Sequence, residues 1–222
     1  MSYTTLYKEN VLTAEQLLAC KNRLLSSQHE KTELFDTHGV WKGRTVTTQL
    51  WAPTDQADSI FADITHTLSE LLPEPFVIEQ GQILQSHLAY DIHTDYYIKV
   101  DHQLQPLSGT PYYTVIIPTK TVDSHTVVFD QSADYNDFYL YKQKNDRLEH
   151  PESSELWNTH CSHCWPEDRE WLTIESVLPW KLGSLIAFDR ERFHCSDNFT
   201  KQLSVKEAFV LWLRHHVMDG TG

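Results

Sequence analysis

The sequence predicts a β-sandwich or jelly roll supported by helices, and three features indicate this fold class. Two helical patterns occupy the first 75 residues, and after Pro75 the chain changes to short runs of β-branched and aromatic residues separated by turn residues. With 222 residues, the chain is long enough to bury roughly 70% of the surface that its unfolded form exposes. A single large domain is therefore expected.

Composition and charge exclude several classes of protein. The 18 Lys and Arg residues against 31 Asp and Glu give a net charge of −13, which argues against non-specific binding to nucleic acid or anionic membranes. A hydrophobic content of 40% with 12% aromatic residues excludes wholesale disorder. Four cysteines do not make a disulfide framework, and the first residues do not resemble a secretion signal. We therefore expect a cytoplasmic protein that does not associate with membranes.

The helical patterns come first in the chain. Thr13 followed by Gln16 resembles a capping box, and leucines at helical spacing come after it. A second helix is expected to begin at Thr54 as its cap and to run to about Leu72, where the prolines that follow end it.

The strand patterns lie after Pro75, with Gly81, Gly109 and Gly183 as turn residues between several of them. Residues 132–166 lack this alternation and are polar, charged and aromatic, so we predict a long insertion of the kind that often covers an active site. The predicted strands are 76–79, 83–89, 96–100, 112–117, 126–129, 171–177, 184–188 and 208–213.

The tripeptide His93-Thr94-Asp95 carries the first indication of chemistry. In a strand, residues two apart project to the same side, so the imidazole and the carboxylate converge. A third ligand must come from elsewhere, and His194 is the candidate because it follows an apolar strand that starts from a turn at Gly183. Two His and one carboxylate are the ligand set of non-haem Fe(II) oxygenases. Taken alone the tripeptide is weak evidence, since a solvated surface pair has the same sequence.

The residues downstream strengthen this interpretation through a resemblance. The sequence is similar to the Fe(II)- and 2-oxoglutarate-dependent dioxygenases of the prolyl-hydroxylase and phytanoyl-hydroxylase type. Their pattern is His-x-Asp, a long interval, Pro-x-x-Gly-x-Leu-x-x-Phe, a distal His, and a basic residue that opens the last core strand. The matching residues here are His93, Asp95, Pro179, Gly183, Leu185, Phe188, His194 and Lys206.

The resemblance implies a mainly β fold with flanking helices, a double-stranded β-helix of the jelly-roll or cupin-like kind. Residues 1–75 would form a helical support region, and residues 76–214 the core of a single domain. It implies Fe(II) bound by His93, Asp95 and His194, with 2-oxoglutarate and O₂ as co-substrates. It also implies hydroxylation of an unactivated C–H bond of a small molecule or peptidyl residue, releasing succinate and CO₂. Asp95 favours hydroxylation over halogenation, because halogenases of this family have a small residue there.

Lys206 is the residue that the resemblance assigns to the distal carboxylate of 2-oxoglutarate. It lies six positions before Trp212, as in the prolyl-hydroxylase type. Most members have Arg in place of Lys, and the Ser found two positions later in those members is Ala208 here. Lys201, Arg214 and an ordinary exposed lysine therefore remain alternatives.

Further residues are weaker candidates. Tyr113 and Thr114 in the strand 112–117 are candidates for sharing the distal carboxylate through a hydroxyl group. Arg190 and Arg192, just before the distal His, suit an acidic substrate, but surface arginines beside a turn explain them equally well. Trp157 and Trp165 in the insertion are candidates for lining the substrate opening.

The segment His160-Cys161-Ser162-His163-Cys164 resembles half of a zinc site. A closed site needs about four ligands, and the sequence has no second pair at zinc-finger spacing, while Cys195 stands far away in the chain. We therefore expect ordinary loop thiols here, with metal binding as the alternative.

Two other functions remain open from the sequence. One is a non-catalytic β-sandwich with a degenerate metal site that binds a ligand or partner. The other is a cupin-type metalloenzyme that does not use 2-oxoglutarate.

Overall fold

A computed structural model describes residues 3–26, 30–35, 41–47, 61–86, 89–100, 103–106, 111–151, 154–198 and 205–215. The described chain is mainly antiparallel β-sheet with a few helices, which confirms the predicted fold class. The strands are β1 (Leu6–Lys8), β2 (Glu30–Phe35), β3 (Trp41–Thr47), β4 (Phe76–Ser86), β5 (Tyr97–Val100), β6 (Gln103–Pro106), β7 (Pro111–Pro118), β8 (His125–Ser132), β9 (Ile174–Pro179), β10 (Leu185–Asp189), β11 (Arg192–Ser196) and β12 (Lys206–His215). The helices are α1 (Ala14–Ser26), α2 (Ala62–Leu71), α3 (Phe138–Lys144) and α4 (Ser154–His160), with a 3₁₀ turn at Pro166–Glu170.

The strands of the described ranges form a larger sheet, a smaller sheet and a hairpin. The larger sheet has the order β1-β10-β7-β12-β4-β3-β2, the smaller one β11-β8-β9, and β5 pairs with β6. An isolated antiparallel bridge between His93 and His194 adds the His-x-Asp segment beside β11. The segment therefore lies at the edge of the smaller sheet.

Side chains pack in layers around these sheets. The residues between the two sheets include Ile116, Val128, Ile186, Phe188 and Val210. The opposite face of the larger sheet packs against α1 and α2, through residues that include Leu17, Ile64, Leu68, Phe209 and Leu211. The outer face of the smaller sheet packs against the insertion, through residues that include Val127, Phe129, Trp157, Phe193 and Cys195. Alternate residues of one strand therefore belong to different layers, as the two-residue period of a strand requires.

The N-terminal region supports the larger sheet with strands as well as helices. The capping box is confirmed, since Thr13 N–H donates to Gln16 Oε1 and Gln16 N–H donates to Thr13 Oγ1. The second helix starts at Ala62, and Thr54, its expected cap, lies outside the described residues. β1 pairs with β10, and β3 joins β2 to β4. The N-terminal strands β1, β2 and β3 therefore extend the larger sheet at both edges. The sequence patterns of this region predicted helices only.

The two predicted turn glycines that the structure describes differ in role. Gly183 has a φ of +68°, and a Cβ there would lie 2.1 Å from the carbonyl oxygen of Leu12. Gly81 is not a turn residue but lies inside β4, because Phe61 and Leu211 pack directly against its backbone. The runs 76–79 and 83–89 are therefore parts of one strand as far as Ser86.

The predicted insertion contains α3, α4 and the 3₁₀ turn. Trp157 of α4 is buried against Phe129 of the smaller sheet, whereas the side chain of Trp165 is 68% exposed. Among the described helices, none has the length and apolar character of a membrane span.

Candidate active site

The fold brings His93, Asp95 and His194 to one place. The backbones of the two histidines exchange hydrogen bonds of 3.0 and 2.9 Å, and their ring centroids are 4.2 Å apart. Asp95 Oδ1 lies 3.9 Å from His93 Nε2, and Asp95 Oδ2 lies 3.4 Å from His194 Nε2. These side chains form a group that could hold a metal ion.

Both imidazoles are oriented by main-chain carbonyls. His93 Nδ1 lies 2.7 Å from the carbonyl oxygen of Asp91, and His194 Nδ1 lies 3.1 Å from that of Arg192. A carbonyl can only accept a hydrogen bond, so each Nδ1 carries a proton and, in the neutral form of either ring, the lone pair is on Nε2. The Nε2 atoms are the ones turned towards the Asp95 carboxylate, as a ligand set requires.

Asp95 is held in its ionised form. Thr114 Oγ1 donates a hydrogen bond of 2.7 Å to Asp95 Oδ2. Burial by itself would raise the pKa of Asp95, but His194, His93, the Thr114 hydroxyl and Arg190 together outweigh it, so the pKa is lowered.

His194 is the more deeply buried of the two imidazoles. Burial, with the charge of His93 as a second cause, lowers the pKa of His194 to about 4, so the ring is neutral at physiological pH. The side chain of His93 is 33% exposed, against 12% for Asp95 and 7% for His194. The site therefore opens to solvent on the side of His93.

Arg190 is a component of this site that sequence reasoning misplaced. It was a candidate surface arginine, but its side chain is completely buried. Its Nε and Nη2 donate to the carbonyl of Asp95, and its Nη1 donates to Glu79 Oε2 and to the carbonyl of Leu213. A charged residue after a strand is normally exposed, so the sequence carried no signal of this burial.

Arg192 is also more buried than a surface residue. It is 9% exposed, and its Nη1 lies 2.6 Å from Glu175 Oε1. The Arg192 guanidinium is therefore already paired with Glu175 of this chain, whereas the sequence had suggested that it could bind an acidic substrate.

Lys206 opens β12 and is buried, with 2% of its surface exposed. Its Nζ donates to the carbonyl of His125 at 2.9 Å and lies 3.9 Å from the centroid of the Trp180 ring. Ala208 and Val210, which share its face of the strand, pack between the two sheets. Burial lowers the pKa of Lys206 to about 7.

The alternatives to Lys206 are placed differently. Lys201 lies outside the described residues. Arg214 lies near the opposite end of β12 from Lys206 and is only half-buried.

Tyr113 and Thr114 point to opposite faces of β7. Thr114 faces Asp95, as described above, whereas Tyr113 packs in the helix-side layer and its hydroxyl donates to the carbonyl of Thr4 at 3.1 Å. This placement removes Tyr113 from the space between the sheets. Thr114 is near the site, but its hydroxyl donates to a carboxylate of the chain itself.

A surface cavity of about 410 Å³ lies at the start of the insertion. Tyr135, Lys144 and Glu191 are among its lining residues. Thr94, between the two candidate ligands, donates its hydroxyl hydrogen to the carbonyl of Tyr135 at 2.7 Å. The start of the insertion is therefore attached directly to the candidate metal site.

Comparisons with known proteins find similar structures but no matching sequences. The sequence matches no protein-family model, and the comparison with characterised sequences finds no match either. An oxidoreductase of the 2OG-Fe(II) oxygenase family from Burkholderia pseudomallei is similar in structure with a TM-score of 0.55 and 12% identity, over 96% of this chain and 85% of that one.

Two further solved structures show the same likeness. The non-haem α-ketoglutarate-dependent epimerase SnoN from nogalamycin biosynthesis has a TM-score of 0.53 and 12% identity, over 95% of this chain and 77% of that one. HygX from Streptomyces hygroscopicus, with nickel, 2-oxoglutarate and hygromycin B bound, has a TM-score of 0.51 and 12% identity, over 96% of this chain and 83% of that one. The chain thus has the fold of 2-oxoglutarate-dependent oxygenase structures.

Proposed function

We propose that this protein is an Fe(II)- and 2-oxoglutarate-dependent oxygenase that hydroxylates a C–H bond of a small molecule and releases succinate and CO₂. The observation that carries the proposal is the convergence of His93, Asp95 and His194 in a fold that matches oxygenases of this kind. A fold alone does not define a reaction, so the argument depends on the chemistry of these side chains.

The donor set fits Fe(II). Two neutral imidazole nitrogens and one carboxylate suit this ion, and both Nε2 atoms and the ionised carboxylate are turned towards one another. Carbonyl oxygens fix both rings from the outside, and Thr114 and Arg190 fix Asp95. His93, Asp95 and His194 would hold the metal and leave coordination positions for other ligands.

The bound metal, Lys206 and Phe188 have different roles in the proposed reaction. Fe(II), once bound with 2-oxoglutarate and O₂, supplies the oxidising chemistry. Lys206 supplies a buried ammonium group for the distal carboxylate, which needs a charged partner away from water. Phe188 packs against His194 on the side between the sheets, so water is excluded behind the metal.

The substrate is proposed to be a polar small molecule. HygX has been solved with hygromycin B, and SnoN with nogalamycin RO, so neighbours of this fold bind small molecules. In this chain the side chain of His93 is the most exposed of the three candidate ligands, and the wall of the polar cavity at Tyr135 is joined to the His-x-Asp segment by the hydrogen bond from Thr94. The insertion therefore supplies the substrate-contacting surface in this proposal.

The reaction type is the finer part of the proposal. SnoN is an epimerase and SnoK a carbocyclase, so proteins of this fold also catalyse reactions other than hydroxylation. Mass spectrometry of the product distinguishes these outcomes, because only hydroxylation adds one oxygen atom from O₂.

The test begins without a substrate. Anaerobic addition of Fe(II) and 2-oxoglutarate is expected to give the weak visible charge-transfer band of an iron-bound keto acid. His93→Ala or His194→Ala should abolish this band, and the exposed His150→Ala should keep it. In air the protein should then form succinate from 2-oxoglutarate.

Two results would contradict the proposal. A protein that takes up far less than one equivalent of iron after reconstitution would support the non-catalytic alternative. A protein that binds one equivalent of iron but forms no succinate with any of a panel of amino acids, aminoglycosides and polyketides would support the cupin-type alternative.

A further inference from the structure

Three cysteines from two distant segments of the chain meet on the outer face of the smaller sheet, on the side away from the candidate active site. Helix α4 ends at His160, and a turn closed by the hydrogen bond from Cys164 N–H to the carbonyl of Cys161 presents two of the thiols. The third comes from Cys195 in β11, on the outer face of the smaller sheet. No partner for Cys195 could be predicted from the sequence, because the pairing depends on how the insertion packs on that face.

The distances between the donor atoms are those of a metal site. One donor atom each from His163, Cys164 and Cys195 lies within 4.8 Å of the other two. His163 Nε2 is 3.4 Å from Cys164 Sγ and 3.2 Å from the carbonyl oxygen of Tyr90, so a metal bound at this nitrogen would replace that hydrogen bond. Cys161, three residues before Cys164, lies in the same buried cluster as Cys195. In a tetrahedral zinc site with Zn–S of about 2.3 Å and Zn–N of about 2.0 Å, neighbouring ligand atoms lie roughly 3.5–3.8 Å apart.

The composition of the cluster is that of a structural zinc site. Three thiols with one imidazole make a Cys₃His set, and Cys161 and Cys164 have the Cys-x-x-Cys spacing of such sites. Cys161 and Cys195 are buried among apolar side chains, and Cys164 and His163 are half-buried, so the set is closed rather than open to substrate. Ordinary apolar packing explains one buried cysteine, but not a Cys-x-x-Cys turn whose second thiol lies with a third thiol and an imidazole.

We propose that Cys161, Cys164, Cys195 and His163 bind one zinc ion, separate from the metal held by His93, Asp95 and His194. The ion attaches the turn after α4 to β11, where the hydrogen bond from Asn198 N–H to the carbonyl of His160 already joins them. Adjacent residues of a strand face opposite ways, so Cys195 faces the zinc while His194 faces the candidate iron site. Zinc therefore fixes β11 at the position from which His194 reaches the active site.

The experiment has to separate the two metal sites, because the His93–Asp95–His194 group can also take zinc. The His93→Ala/His194→Ala double variant is produced in zinc-supplemented medium, and its metal content is measured by elemental analysis. About one equivalent of zinc is expected. X-ray absorption at the zinc edge should show about three sulfur scatterers near 2.3 Å and one nitrogen near 2.0 Å.

The cysteine variants are made in the same double-variant background. Cys161→Ser, Cys164→Ser and Cys195→Ser should each lose most of the zinc and lower the melting temperature, because metal binding is linked to folding. Cys20→Ser is the matched control, since Cys20 is also buried but lies in α1 on the other side of the larger sheet, and it should keep the zinc.

Several results would overturn the proposal. They are a zinc-free double variant that is nevertheless folded, an absorption spectrum with only nitrogen and oxygen scatterers, or a disulfide between any two of these cysteines in protein purified with zinc. If a serine variant fails to fold, the zinc content and absorption spectrum of the double variant with all its cysteines still decide the question.

Discussion

Arg190 and Asp95 are joined by hydrogen bonds in both directions. The Asp95 N–H donates to the carbonyl of Arg190 at 3.0 Å, and the Arg190 guanidinium donates back to the carbonyl of Asp95 at 3.3 and 3.2 Å. The same guanidinium reaches Glu79 and Leu213 on the larger sheet. One buried side chain thus joins the His-x-Asp segment, the turn before β11 and the larger sheet.

Replacing Arg190 should therefore damage stability and metal binding together. Arg190→Met leaves the buried Glu79 carboxylate without this ion pair, and we expect a loss of about 3–5 kcal/mol in the free energy of unfolding, measured with urea. Arg190→Lys keeps the charge but not the fork geometry, so its loss should be smaller. Arg147→Met is the control, because Arg147 is exposed and its ion pair with Glu170 contributes at most about 1 kcal/mol. Equal stabilities of Arg190→Met and the control would show that the buried ion pair of Arg190 does not stabilise the fold.

Thr114 should control metal affinity more than stability. Thr114→Val keeps the shape of the side chain but removes the hydrogen bond to Asp95 Oδ2. Outer hydrogen-bond partners of ligands are worth about 10- to 100-fold in metal affinity, so we expect a loss of that size in Fe(II) or Mn(II) binding, measured by anaerobic titration. Thr114→Ser should restore most of it. Thr67→Val, at a half-buried position in α2, should leave the affinity unchanged.

Lys206 should make the binding of 2-oxoglutarate depend on pH. Burial lowers its pKa to about 7, and only the protonated amine pairs with a carboxylate. Above pH 7 the amine loses its proton, so the affinity for 2-oxoglutarate should fall roughly tenfold for each further pH unit. Lys206→Arg should bind with little dependence on pH between 7 and 9, and Lys206→Met should bind weakly throughout. A flat profile for the unchanged protein in calorimetric titrations would show that another cation serves the carboxylate.

The lowered pKa of Lys206 also affects folding. The stability of the fold should rise with pH, whereas the affinity for 2-oxoglutarate should fall. The unfolded chain binds a proton at Lys206 up to about pH 10.5, whereas the folded protein releases it near pH 7. The free energy of unfolding of the protein without 2-oxoglutarate should therefore rise between pH 7 and 10 through this residue. The rise should be absent from Lys206→Met.

Gly183 should not tolerate a side chain. Its φ of +68° and the distance of 2.1 Å from a Cβ to the Leu12 carbonyl oxygen both oppose Gly183→Ala. The change should also disturb the hydrogen bond from Val11 N–H to the Gly183 carbonyl, so we expect a loss of at least about 2 kcal/mol. Lys181→Ala in the same turn should cost less than about 1 kcal/mol, because its ion pair with Glu9 is exposed. Urea denaturation of both variants checks this difference.

Local patterns in the sequence were sufficient for several features. The capping box at Thr13, the turn at Gly183 and most of the core strands follow from short-range periodicity and turn chemistry. The same period of two places His93 and Asp95 on one side of the chain, which is why a ligand pair could be predicted before any contact was known.

Other features depended on which segments pack together. The direction of Tyr113 and Thr114 was undetermined, because alternation says that they face opposite layers but not which layer each one faces. The edge strands β2 and β3 gave no clear alternation, and Gly81 marked a close contact with Phe61 rather than a turn.

The sequence by itself therefore determined the spacing of the candidate ligands, the sheet-rich core and the charged residue that opens β12. Only the tertiary structure decided that Arg190 is buried against Asp95 and that Cys195 meets the turn that carries Cys161 and Cys164. The physical reason is that a strand fixes which of its residues share a face. The packing of segments distant in sequence fixes what that face meets, and neither burial of a charge nor convergence of thiols can be read from local periodicity.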